Sequence, residues 1–267
     1  LGSHWIYDEK QLANLDINWE ELNPAFSIWH KGKKAGEFTH FGDQINILYQ
    51  YILENNDFDL EKYVPYWKKR MEVYDGYIDG ATKATLENLN QNRAIPCGSD
   101  STDLSIVGRI APLLLVSNSK EEFLSNVEKF VKVTHNSPLA IETSKFFAKV
   151  LMDVLDDIEM IESIKERRYE FSSTIQNYVN EGLASVEEES FEAIRRFGPA
   201  CSIDEGFRGV IHLLAKYTNF KEALIKNAQA GGDNSSRAMI VAILFVARYG
   251  TKVIPKNLTN IKVQIDI

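Results

Sequence analysis

Gly231-Gly232-Asp233-Asn234-Ser235-Ser236 runs directly into Arg237-Ala238-Met239-Ile240-Val241-Ala242-Ile243-Leu244, a turn feeding a long apolar helix. Two consecutive glycines break the chain and let it turn through conformations closed to other residues. The short oxygen-bearing side chains that follow suit a helix start, and the apolar run from Ser235 to Tyr249 has helical length. A helix entered through such a turn aims its first N–H groups and a carboxylate at one point. That arrangement serves either as a plain cap or as a ligand site.

The same design recurs along the chain. Between Asp43 and Glu54, Ile45, Leu48 and Ile52 with Ile47 and Tyr51 form the broad apolar face of a core helix. Ser119-Lys120-Glu121-Glu122 reads as a capping box ahead of Phe123, Val127, Phe130 and Val131. Ser137-Pro138 opens a further helix with Ala140, Phe147, Val150, Leu151 and Leu155 at helical spacing. The charged stretch from Ser163 to Leu183 is expected to form one peripheral helix, and Asp204 to Tyr217 and Phe220 to Ala228 two more. Roughly ten helices against few strand candidates predict an all-α, compact multi-helix domain. Only Ile261 to Ile267 alternates as a half-buried strand does, and it lacks an obvious partner, so 256–267 is read as a tail. No linker divides residues 1–267, which predicts a single domain.

Composition narrows the function. A net charge of -8 and a pI near 5.3 exclude a sequence-independent nucleic-acid binder, which needs a surplus of lysine and arginine. Runs such as Ala111 to Val116 and Ala238 to Ala247 are too short to cross a bilayer, and no signal peptide is visible. Cys97 and Cys201 stand in unlike contexts without metal-ligand spacing, so a reducing, cytoplasmic compartment is expected. Cys201 has no histidine in its neighbourhood and reads as a packing thiol rather than a nucleophile. His4, His30, His40 and His212 lack metal-like spacing and read as structural or surface groups, and the four tryptophans as packing anchors.

Taken together, the motifs resemble the ADP-ribosylglycohydrolase family. Gly231 to Ser236 is similar to its Gly-Gly-Asp-Thr-Asp-Thr signature, Thr134-His135-Asn136-Ser137-Pro138 to its Thr-His-x-x-Pro element, and Gly36 to Gln44 occupies the place of its Thr-Asp-Asp-Thr loop. Ser99 to Pro112 resembles the substrate-loop segment ending in Arg-Ile-Ala-Pro, Gly198 to Gly206 the Gly-x-x-Cys-x-x-Glu type segment, and Ile254-Pro255 the closing turn. With Tyr74 to Lys83, the pattern is closest to the crystallin-like branch that includes jellyfish J-type crystallins. His4 to Asp8 resembles the end of the first family motif. The resemblance puts the helix before that motif, which carries an acidic residue near the scissile bond in several members, ahead of Leu1 and outside the sequence.

The resemblance implies binding or hydrolysis of an ADP-ribosyl group, with ADP-ribose or an ADP-ribosylated substrate as partner and magnesium as cofactor. It implies metal contacts from Asp43, Asp233, Ser235 and Ser236, and substrate contacts from His135, Ser99, Ser101 and Asp103. The pattern is incomplete. Its adjacent carboxylate pair is Gly42-Asp43 here, followed by Gln44, and its second acidic position in the glycine motif is Ser235. Two carboxylates stand where the pattern has four, which weakens a binuclear centre because neutral oxygens compensate charge poorly. A reduced magnesium site with altered activity, and a catalytically inactive structural or ADP-ribose-binding protein, both fit this sequence. Asp43, Asp103 and Asp233 could also be helix caps alone, and His135 a histidine tied to a turn.

Overall fold

Capping residues begin most of the helices. In the computed structural model, which describes residues 2–263, twelve α-helices are joined by loops and short 3-10 segments, with isolated bridges and no strand among the described residues. They are α1 (Glu9–Ala13), α2 (His40–Asn55), α3 (Leu60–Met71), α4 (Gly80–Asn90), α5 (Lys120–Thr134), α6 (Pro138–Leu155), α7 (Met160–Arg167), α8 (Ser173–Ala184), α9 (Ser190–Phe197), α10 (Ile203–Lys216), α11 (Phe220–Gln229) and α12 (Asn234–Tyr249). The Ser119 side chain accepts from the Glu122 N–H at 3.1 Å to start α5, and Asp79 accepts from the Thr82 N–H at 2.7 Å to start α4. The all-α expectation holds.

Helix α6 is the centre of the core. It packs against α5, α7, α12 and the 3-10 segment Leu104–Arg109, burying Ala140, Phe146, Phe147, Val150 and Leu151. A continuous cluster of buried apolar side chains runs from Leu48 on α2 to Phe245 on α12. Fully burying a leucine or phenylalanine contributes about 1.5–3 kcal/mol, so these helices are held mainly by tertiary packing. Leu104–Arg109 is buried at all six positions and lies against both α12 and α2. It thereby sets the spacing between the two helices that follow the family-like loops.

Two expectations change in detail. Ser163 to Leu183 is not one helix: α7 ends at Arg167, a 3-10 turn follows, and Phe171 is extended before α8 begins. The break lets Phe171 pack edge-on against Phe146 at 5.5 Å, while the Ser172 hydroxyl and N–H donate to Glu142. In the tail, the Lys262 N–H donates to the Gly36 carbonyl at 2.8 Å, and residues 264–267 of the expected extended segment lie outside the described residues. No helix among the described residues is long and apolar enough to cross a membrane.

Candidate functional site

The glycine turn before α12 is held from three sides. Gly231 and Gly232 have φ of +67° and +60°, and a Cβ on Gly232 would lie 2.1 Å from the Pro199 carbonyl oxygen. Only glycine fits there. The Trp5 N–H donates to the Gly232 carbonyl at 2.7 Å and the Gly232 N–H to the Ile6 carbonyl at 2.8 Å, so residues near the start of the described chain pair with the motif near its end. Fully buried Arg237 donates to the Gly231 carbonyl and to Asn227 Oδ1, both at 2.7 Å.

Asp233 caps α12 through the Ser236 N–H at 3.2 Å. Its Oδ2 accepts from the Ser236 hydroxyl at 2.5 Å and its Oδ1 from His4 Nε2 at 3.0 Å. The carboxylate is 1% exposed. Burial opposes its charge, but the His4 and Ser236 bonds hold its pKa below the ordinary range, while burial holds that of His4 down too. A neutral imidazole donating to an ionised Asp233 satisfies both shifts. His4 stacks on His30 at 5.1 Å and lies near Trp5 and Phe41.

At the start of α2, Asp43 accepts from the Tyr74 hydroxyl at 2.6 Å, with Lys33 Nζ at 3.7 Å. Gln44 turns into the core, accepting from Trp67 Nε1 at 2.7 Å and donating to Thr82 Oγ1 at 3.0 Å. Beside it lies a polar cluster absent from the expected site: Asp79 meets His40 Nε2 at 3.2 Å and Arg109 Nη2 at 3.4 Å, with both partners 1% exposed. Gly42 and Ser235, the two positions lacking the pattern's carboxylates, line one cavity of about 410 Å³ whose wall includes Phe38, Ile45 and Met239. The two motif helices therefore do meet. Among the described residues, however, no three His, Cys, Asp or Glu side chains form a metal-holding group. Asp43 and Asp233 are each engaged by protein donors, and this donor set does not fit a binuclear magnesium centre.

Ser99, Ser101 and Asp103, the expected substrate contacts, gather at a second cavity. Ser99 bridges to His135: the Ser99 N–H and hydroxyl both donate to the Thr134 carbonyl, and the Asn136 N–H to the Ser99 carbonyl at 2.7 Å. His135 is fully buried with Nδ1 at 2.8 Å from Thr134 Oγ1, and burial lowers its pKa to about 3. It secures the loop from beneath. Ser99, Ser101 and Asp103 line a cavity of about 370 Å³ together with Gly80, Cys201 and Ser202. Asp103 Oδ1 accepts from the Ser105 N–H at 2.8 Å, and burial followed by the charge of Asp233 raises its pKa to about 6. Burial and the same carboxylates push the Cys201 thiol up, which removes it as a nucleophile at neutral pH.

Residues 1–262 match the family model described as ADP-ribosylglycohydrolase. The chain belongs to the ADP-ribosylglycohydrolase family. It is similar to Crystallin J1A and Crystallin J1B of Tripedalia cystophora, each 24% identical, with 95% of this chain and 84% of each relative covered. A solved structure described as an ADP-ribosylglycohydrolase-related protein complex shares the fold at a TM-score of 0.65 and 17% identity, covering 96% of this chain and 89% of that one. The glycine turn, the Thr134–Pro138 element and the Ser99–Asp103 loop are the stretches that resemble the family's motifs. The chain departs at the carboxylates.

Proposed function

We propose that this family member binds an ADP-ribosyl group in the substrate-loop cavity without a binuclear magnesium centre, and that its hydrolytic activity is weak or lost. The observation that carries the reading is Asp233, buried with both oxygens taken by His4 and Ser236. Displacing those donors for a cation would leave His4 and Ser236 unpaired in the interior. Ligand contact then falls to Ser99, Ser101 and Asp103, whose hydroxyl and carboxyl oxygens suit ribose hydroxyls. A second reading, a structural role, is favoured by the crystallin names of the two jellyfish relatives.

Isothermal titration with ADP-ribose in chelator and in magnesium tests this. Saturable binding in both is expected, whereas binding seen only with magnesium refutes the metal-free site. Absence of binding under either condition favours the structural reading. The pH dependence has a defined sign. An anionic pyrophosphate near Asp103 favours its protonated form, so affinity should rise as pH falls from above neutral toward about 6 and level off below it, by at most about tenfold per pH unit for one linked proton. Asp103→Asn, which keeps the cap on the Ser105 N–H, should flatten that profile and tighten binding at pH 7.5. An unchanged profile in the variant excludes Asp103 from the ligand site.

A further inference from the structure

The space between the starts of α2 and α12 is where the family pattern concentrates carboxylates, and here it is apolar. Gly42 and Ser235 line its cavity of about 410 Å³, with Phe38, Ile45, Pro112 and Met239 supplying the surrounding surface and, among the described residues, no charged side chain in the lining. The retained carboxylates turn elsewhere: Asp43, next to Gly42, to Tyr74, and Asp233, two residues before Ser235, to His4. Phe38 occupies the room an acidic side chain needs. A Cβ on Gly42 would come within 2.8 Å of the Phe38 ring.

We propose that this cavity is a binding site for an uncharged, apolar small molecule of one or two rings. Its volume falls within the range of about 300–1,000 Å³ typical of small-molecule sites. A charged ligand would lose its hydration against a wall offering no counter-ion, which is costly, whereas an apolar ring gains burial and dispersion contacts. Thr39, Asn46, Tyr49 and Ser235 contribute the few polar groups, enough to orient a single hydroxyl or carbonyl. The absent carboxylates and the apolar cavity go together: Gly42 packed against Phe38, and Ser235 beside Met239, give the space a neutral wall. This site does not depend on the ADP-ribosyl reading of the substrate loop.

The test uses the full chain and the uncharged two-ring fluorophore 6-propionyl-2-(dimethylamino)naphthalene, which carries a single carbonyl. A saturable fluorescence rise at one equivalent is expected. Ile45 is half-buried on α2, so Ile45→Trp projects an indole into the cavity and should weaken binding at least about tenfold, while Ile45→Leu should preserve it. Methionine-methyl NMR gives a second readout that needs no substitution: the Met239 methyl should shift on titration, and that of Met71, buried in the core on α3, should not. Non-saturating fluorescence, equal affinity in folded Ile45→Trp, or an unmoved Met239 signal overturns the proposal. ADP-ribose titrated into the same Ile45 variants reports on the substrate loop alone, so failure there leaves the apolar site standing.

Discussion

Replacing Asp79 with alanine is expected to destabilise the protein by about 3–5 kcal/mol, the scale seen when one partner of a buried ion pair is removed. The substitution would leave Arg109, 1% exposed, without its carboxylate partner, take from His40 Nε2 its charged partner while Thr82 Oγ1 stays within reach, and uncap α4. For a chain of this size the melting temperature should fall by roughly 10 °C. Burial works against the Asp79 charge, yet the His40 bond and the Arg109 charge hold its pKa far below the ordinary range. A depressed folded pKa stabilises the protein above the unfolded value, about 4, and that contribution fades as pH falls below it. The gap between variant and parent should thus be full at pH 7 and pH 5 and narrow at pH 3. Asp79→Asn, which retains the cap, should lose less. Melting curves for both variants at the three pH values decide the matter; an alanine variant within about 2 °C of the parent at pH 7 would show that Arg109 is stabilised by other means.

The second large effect is expected from Ser235→Asp, which restores the family's acidic spacing. Ser235 is 6% exposed and lies two residues from Asp233, so the introduced carboxylate enters a buried apolar wall beside an existing negative charge. A loss of about 3 kcal/mol is expected in chelator at pH 7.5. The introduced group should titrate above its unfolded value of about 4, so the penalty is full above its folded pKa and disappears as pH falls below the unfolded one. Adding Gly42→Asp together with Phe38→Ala, which removes the ring 2.8 Å from the new Cβ, supplies a second anionic oxygen to the same cavity. Magnesium should then raise the melting temperature of the triple variant and leave the parent and Phe38→Ala alone unmoved. Equal magnesium responses in parent and triple variant, read by scanning calorimetry, would sink the idea that these two positions separate a metal-binding member from this one.

Much of the helical framework could be read locally because its signals are local. Ser119 with Glu122, Ser137 with Pro138, and the glycine pair before Asp233 each mark a helix start within a few residues, and the structure places helices there. The interruption at Phe171 was not readable, since its cause is a contact with Phe146 on another helix. The site divides in the same way. The glycine turn and the Ser99–Asp103 loop announce themselves by composition, whereas the direction in which Asp43 and Asp233 face depends on Tyr74 and His4, the latter 229 residues from its partner. Arg109 sits inside a motif noticed for its ending, but nothing nearby in sequence indicates that it meets Asp79. That Gly42 and Ser235 had lost acidity was visible; that they share one cavity required the fold.

The seam between residues 3–6 and 228–234 has a bearing on how the molecule is made. Ser3 donates to the Ala228 carbonyl and accepts from Asn234, and Trp5 and Ile6 bond with Gly232, so residues 3–6 leave the ribosome long before the segment they pair with. At about 5–20 residues per second, a separation of 229 residues is a delay of roughly 10–50 s. During that interval the nascent helices can assemble around α6, but His4 and Trp5 have no place to dock. The seam therefore closes only once residues 228–234 have emerged, and a chain stalled before them would expose an aromatic segment to chaperones and proteases.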